Sequence, residues 1–354
     1  MARTMGRSGD GAFLADAGLQ SLAAGFKAAW WGATGLAARN IAQPEKSVPT
    51  EFRPATPPPP KGSRAAAWAE AFRKDIEDVR AGLYPPSGPM FSDPAEALRA
   101  VSDFLRDTRE VDARRRRGGG TEARTEPGSE AYPAYYRQNF HFQSGGWFTR
   151  DSARRYEPQV EALFSGTAGA MRRRALSLLA RAWRRVDQRG RVVADLACGA
   201  GAFLGDLKRT FPRARILGLD LSPAYAPEAA ARTGLPVIQG AVERLPFADA
   251  SLDAATCIYL FHELPPRLRP VVAAEIARVL KPGGVLALAD SVQPQDQPDL
   301  ARLLEAFPAF FHEPYYESWC AEDVARLFAG AGLRLVTTDV AFLTKGWLFE
   351  RGSH

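Results

Sequence analysis

Two glycines and one acid carry the clearest chemical signal in this chain. Val192-Val193-Ala194-Asp195-Leu196 is an apolar run that passes straight into Ala197-Cys198-Gly199-Ala200-Gly201, after which Phe203, Leu204 and Leu207 recur at helical spacing. Glycine accepts unusual φ and has no Cβ, so a turn of this kind lets the backbone approach a ligand closely. Roughly 20 residues further on, the next apolar run ends in Asp220, where strand-turn-helix nucleoside sites place the carboxylate that meets ribose hydroxyls. The spacing between Gly199 and Gly201 is shorter than in the dinucleotide fingerprint. A pyrophosphate needs the full loop and the helix N-terminus, so it is not the expected ligand.

Other candidates lie where loops meet the ends of strands. His262 and Glu263 follow the fourth apolar run, at an edge that borders the ligand crevice of open α/β sheets. His262 reads either as a general base or as part of a helix-capping or packing pair. The connection holding Phe307, Phe310, Phe311, His312, Glu313, Tyr315, Tyr316 and Trp319 is dense in aromatics. It reads as a lid over a lipophilic or aromatic substrate, with ordinary core packing as the alternative. His312 could then act as base or bond to a substrate hydroxyl. Upstream, the segment from Tyr135 to Trp147 mixes aromatic and hydrogen-bonding side chains and reads as a cap over the ligand or as a plain element against the sheet. The expected substrate contacts are Tyr136, His141, Trp147, Phe311, Tyr315 and Tyr316. Cys198, Cys257 and Cys320 lack paired or metal-ligand spacing, so neither a disulfide framework nor a metal site is expected.

The elements that must hold these residues alternate in type from Arg191 onward, the signature of βαβ units and a doubly wound α/β sheet. Strands are expected at 192–196, 216–219, 236–239, 254–260 and 285–289, with an antiparallel closing pair at 333–340 and 342–350. Before them the chain divides into an N-terminal segment (1–52), a proline-rich linker (53–63), a helical extension (64–113), a mobile linker (114–130) and an aromatic cap with a helix (131–190). The sheet domain then takes 191–354. In the extension, Trp68, Phe72, Ile76 and Val79 form one helical stripe. Asp93, Pro94 and Glu96 make a second helix start, with Leu98, Val101, Phe104 and Leu105 as its buried face.

The stretch from Val192 to Gly201, with Gly240–Phe247 (GAVERLPF), Phe261–Pro265 (FHELP) and Arg278–Gly284 (RVLKPGG), resembles the class I S-adenosylmethionine-dependent methyltransferases, in their quinone and small-molecule branch. The resemblance covers about 191–290 well and the chain end loosely. It implies a Rossmann-like sheet of seven strands, the last antiparallel, and S-adenosylmethionine as cofactor with S-adenosylhomocysteine as product. By that resemblance Asp195, Gly199 and Gly201 wall the methionine part, Asp220 binds the ribose and Leu221 packs on the adenine. Ala241 and Val242 lie beside the adenine, and Tyr259 near the methionine amine. Many relatives carry an acid where Ala241 stands, so Glu243 or a backbone carbonyl must replace it. The implied partner is a small lipophilic or aromatic methyl acceptor; an RNA or protein acceptor and a binding scaffold without turnover are the rival readings.

Composition sets outer bounds. At 354 residues, with 46% hydrophobic and 24% charged residues, the chain reads as globular. The net charge of +6 is mostly arginine in short runs, such as Arg114–Arg117 and Arg172–Arg174. Such runs read as solvated helix faces or linkers, so nucleic acid is not the expected partner. A reducing, cytoplasmic setting is expected. The segment Ser21–Ala38 is apolar apart from Lys27, with Leu22, Phe26 and Trp30 at helical spacing. It reads as a helix docked on the protein's own core, or as a membrane-surface or organelle-targeting segment.

Overall fold

Five short apolar runs form the parallel part of the sheet because helices cover both of its faces, so neither side needs polar residues. The computed structural model describes residues 9–42, 52–88 and 93–352. Its strands are β1 (Val192–Leu196), β2 (Arg215–Asp220), β3 (Val237–Gln239), β4 (Leu252–Ile258), β5 (Leu280–Ser291), β6 (Leu333–Ala341) and β7 (Thr344–Arg351). They form one seven-stranded sheet in the order β3-β2-β1-β4-β5-β7-β6. β7 alone runs antiparallel, to both β5 and β6. This is the expected Rossmann-like, doubly wound α/β sheet, with the closing hairpin folded so that its second strand enters the sheet first.

Successive side chains point to opposite faces, and the burial follows that period. Val193, Ile216 and Ala254 meet α5 (Ala168–Ala182) and α6 (Ala202–Thr210), whose neighbour is α7 (Tyr225–Thr233). Ala194, Ala255 and Leu286 face α8 (Arg269–Val279) and α11 (Val324–Gly330). Between β5 and β6 the chain also forms α9 (Ala301–Phe310) and α10 (Tyr316–Cys320).

The N-terminal part adds α1 (Gly9–Ala42), α2 (Ser63–Arg80), α3 (Pro94–Arg116) and α4 (Arg150–Leu163). α3 starts as expected, with Asp93 accepting from the Glu96 amide at 2.7 Å and Pro94 in the first turn. Its buried face differs: Leu98 is 60% exposed, whereas Thr108, Asp112 and Arg114 are buried. α1 likewise docks through Trp31, Thr34, Ala38 and Ala42, while Leu22 and Phe26 face outward. Small residues on the docked stripe let the backbones approach, which an apolar count does not register. The expected boundary at 52 falls beside residues 43–51, which lie outside the described residues, as do 1–8. Among the described residues, no helix is long and apolar enough to cross a membrane.

Two other expectations change. The segment 114–130 is tied down rather than free: Arg114 donates to the Phe142 carbonyl at 2.6 Å and pairs with Glu122 at 2.8 Å, while Asn139 accepts from the Ala123 amide at 2.7 Å. The run Arg172–Arg174 is not a solvated face. α5 lies between the sheet and the N-terminal helices, so all three guanidinium groups are buried, and acids from elsewhere meet them. Arg172 forks onto Glu157 at 2.9 and 2.7 Å, Arg173 onto Asp75 at 2.6 and 2.5 Å, and Arg174 reaches Asp78 at 3.0 Å.

Candidate functional site

The β1–α6 turn holds three residues at positive φ in close succession, Ala197 (57°), Gly199 (54°) and Gly201 (84°). The two glycines use that freedom differently. A Cβ on Gly199 would meet nothing within 4 Å among the described residues, and the residue lines a cavity at the C-terminal edge of the sheet. A Cβ on Gly201 would lie 3.0 Å from Ala229, so this glycine serves the packing of α6 on α7 and stands outside the cavity lining.

Asp195 and Asp220 face the cavity from the ends of β1 and β2. Asp220 accepts from the Gly199 amide at 2.7 Å and the Ser222 amide at 2.8 Å, which locks the glycine turn to the next strand. Burial pushes its carboxyl up to about 6, although those amides oppose the shift. Asp195 accepts from Thr256 Oγ1 at 2.7 Å through Oδ1. Its Oδ2 is buried with no hydrogen-bond partner among the described residues. Burial pushes Asp195 up to about 7, against the hydrogen bond from Thr256.

The opposite wall comes from the aromatic segment and from α4, α5 and the start of α7. Tyr136, Trp147, Tyr156 and Tyr225 line it, and Arg172 enters with its Glu157 partner, its Nε buried and unpartnered among the described residues. Ser222 donates to the Trp147 carbonyl, and Gln143 Nε2 donates to Tyr225 Oη at 2.7 Å, so the cap is bonded to the sheet domain. Tyr259, at the end of β4, is held at φ 56° with its hydroxyl 2.5 Å from Thr344 Oγ1 and its ring in the cavity wall. The space inside is about 740 Å³, part of it open to solvent.

Of the sequence-predicted residues, the structure thus brings Asp195, Gly199, Asp220, Tyr259, Tyr136 and Trp147 around one cavity. Leu221, Ala241 and Val242 sit beside its Asp220 end without lining it; Val242 packs in the core with Leu219 and Leu245. Glu243 accepts from the Tyr135 hydroxyl, and its Oε2 is buried without a partner among the described residues. It is the acid nearest in sequence to the position of Ala241.

Both histidines proposed as bases are placed otherwise. His312 Nε2 lies 2.7 Å from Gln138 Oε1, and its ring packs against Gly120, away from the cavity lining. His262 is buried with Nδ1 2.6 Å from Asp290 Oδ1. Burial disfavours its charged form, but the Asp290 carboxylate outweighs burial and pushes the ring up to about 9. A ring protonated at neutral pH has no lone pair with which to take a proton. Phe311 and Tyr315 are half-buried, and Tyr316 is buried with its hydroxyl 2.5 Å from Ser291 Oγ. His141 sits between Phe307 and Phe311, with ring centroids 5.9 and 5.8 Å away.

Tyr156, Glu157 and Tyr225 are given no role by the sequence, and Arg172 reads there as part of a solvated arginine run. Sequence reasoning also gives no role to Glu263 in the cavity wall.

Comparison with known proteins agrees with this geometry. Residues 193–284 match the family described as a methyltransferase domain. The chain is 31% identical over 204 residues to the ubiquinone/menaquinone biosynthesis C-methyltransferase UbiE of Desulfotalea psychrophila, covering 49% of this chain and 82% of that one. It is 36% identical over 125 residues to the fatty-acid O-methyltransferase of Mycolicibacterium smegmatis, covering 34% of this chain and 45% of that enzyme. It is also 36% identical over 118 residues to the phthiotriol/phenolphthiotriol dimycocerosates methyltransferase of Mycobacterium leprae, covering 32% and 43%. The chain therefore spans less than half the length of the last two relatives. The first match runs through most of its partner, and the β1–α6 turn, Asp195 and Asp220 stand in the matched domain; the chain belongs to the class I S-adenosylmethionine-dependent methyltransferases.

Proposed function

We propose that this chain binds S-adenosylmethionine in the cavity and transfers its methyl group to a small lipophilic acceptor. The observation that carries the reading is Asp195 Oδ2, a buried carboxylate oxygen without a partner among the described residues, beside the open face of Gly199. Buried acids whose protons are held by desolvation favour an incoming cation or hydroxyl donor. The amine of the methionine part fits Asp195, its carboxylate fits the unused Nε of Arg172, and the ribose hydroxyls fit Asp220. Glu243 Oε2 offers the acceptor that an adenine amino group needs where Ala241 cannot.

When bound, S-adenosylmethionine supplies a methyl carbon already activated by its sulfonium. What remains for the protein is alignment and exclusion of water. Trp147, Tyr136 and Tyr156 close the cavity from the cap side, and Tyr259 holds the end of β4 against it. A lipophilic acceptor is supported by the half-buried aromatics Phe307, Phe310 and Phe311 on the connection after β5, and by relatives named for quinone, fatty-acid and phthiotriol methylation. The run Arg172–Arg174 gives no support to an RNA acceptor, because its three residues are buried in ion pairs.

Calorimetric titration with S-adenosylhomocysteine tests the cavity assignment. The wild type is expected to bind and Asp195→Ala to bind at least about tenfold more weakly, the loss of one charge-assisted hydrogen bond. Equal affinity in the two proteins would remove Asp195 from the site.

A further inference from the structure

The N-terminal edge of the parallel strands, opposite the cofactor cavity, carries a second recess of about 780 Å³, part of it open to solvent. Two irregularities of the sheet shape it. Leu252 of β4 pairs with Leu280 and Ala254 with Val285, so Lys281–Gly284 bulge against the single residue Asp253. Leu335 of β6 pairs with Phe349 and Thr337 with Leu348, which leaves Val336 as the extra residue of a β-bulge. A bulge re-aims a side chain, and Val336 lines the recess while 44% exposed.

The floor is apolar and the rim is positive. Trp183, Val186 and Leu348 line the floor with Val336. On the rim, Arg191 and Lys281 each donate at 2.7 Å to the buried Asp253 carboxylate, which neutralises only one of the two cations. The other acid of the lining, Glu350, is paired with Arg334 at 2.5 Å. Arg184 and Arg185 stand exposed in the turn between Trp183 and Val186, with no ion-pair partner among the described residues. Arg215 is exposed too, and its amide donates to the Arg191 carbonyl at 2.8 Å. The nearby acid Asp187 is taken by Arg189 at 2.8 Å.

We propose that this recess binds a free anionic amphiphile, an apolar chain with a carboxylate or phosphate head. The chain lies on Trp183, Val186, Val336 and Leu348, and the head meets Arg191 and Lys281 in the field of Arg184 and Arg185. A cationic amphiphile gains the same apolar contact but meets that field with the wrong sign. The occupant is a single molecule from solution and not a bilayer. Among the described residues Val336 is the one large apolar side chain exposed at this edge, whereas a membrane-inserting face presents several. Nucleic acid is disfavoured because no aromatic ring stands exposed here for a base to stack on among the described residues. The site is separate from the cofactor cavity and does not depend on what that cavity binds.

Decanoate and decyltrimethylammonium share one chain length and differ in the sign of the head. Each is titrated calorimetrically into the full chain below its micelle-forming concentration. Decanoate is expected to bind at least about tenfold more tightly than the cation. Val336→Glu sets a carboxylate in the floor and should weaken decanoate by a similar factor. The double variant Arg184→Ala with Arg185→Ala should also weaken decanoate while leaving the cation no weaker, and it serves if the first variant does not fold. Saturating S-adenosylhomocysteine should leave decanoate binding unchanged. No binding of decanoate, equal binding of the two amphiphiles, competition by S-adenosylhomocysteine, or unchanged decanoate affinity in the folded variants overturns the inference. So does retention on phosphatidylglycerol vesicles that is lost in Val336→Glu, since the occupant is then a bilayer.

Discussion

His262 Nδ1 lies 2.6 Å from Asp290 Oδ1, and the second oxygen of that carboxylate accepts from the Phe261 amide at 2.9 Å. One buried acid thus fixes both the ring and the backbone of the turn after β4, directly below the cavity wall. Because the ring is held at about 9, above its unfolded value near 6.5, the pair contributes stability that is fully present below about pH 6.5 and is lost as pH rises through about 9. The contribution is on the order of 3 kcal/mol. An NMR titration should find the His262 ring protonated at neutral pH in the wild type and neutral in Asp290→Asn. A ring titrating near 6.5 in both proteins would contradict the pairing.

Asp195 gives the cavity its own pH dependence. Its free carboxyl is held at about 7 by burial, so a ligand amine that requires the ionised form should bind more tightly as pH rises through about 7. Affinity for S-adenosylhomocysteine that is flat between about pH 6 and pH 8 would show that Asp195 does not meet the amine.

Gly199 and Gly201 should separate binding from folding. Gly199→Ala places a Cβ at the open face of the cavity, with a modest strain of about 1–2 kcal/mol from positive φ. Its main effect is expected on S-adenosylhomocysteine affinity. Gly201→Ala adds to similar strain a Cβ only 3.0 Å from Ala229, so it should lower the thermal midpoint further. The reverse ranking, read by thermal unfolding and calorimetry side by side, would contradict the division of labour between them.

The α2–α5 contact should depend on compensated charge. Asp75→Ala leaves Arg173 buried without its forked partner and is expected to cost about 3–5 kcal/mol in denaturant unfolding. Replacing both residues, as Asp75→Leu with Arg173→Met, should cost much less, since the buried charges then leave together. A double variant as unstable as the single one would show that the pair contributes attraction beyond mutual neutralisation.

The sheet was legible because its signals are local. Val192–Leu196 is apolar whichever face is considered, the glycine turn follows at once, and Asp220 ends the next such run. Strand and turn chemistry decide those positions without knowledge of distant parts. Arg172–Arg174 read the same whether they face water or acids brought by the fold, and the partner of Arg173 lies 98 residues away. His312 and Glu313 are adjacent, yet one turns to Gln138 in the cap while the other is buried beside His141. Which of two neighbours turns to the cap and which is buried is decided by tertiary packing, and no periodicity in a short connection records it.

The central claim, methyl transfer to a small lipophilic acceptor, is tested most directly by incubating the full chain with methyl-labelled S-adenosylmethionine and a lipid extract, then extracting with organic solvent. Label is expected in the organic phase and is expected to fall sharply in Asp195→Ala. Label that stays entirely in the aqueous phase while S-adenosylhomocysteine binds normally would contradict the account.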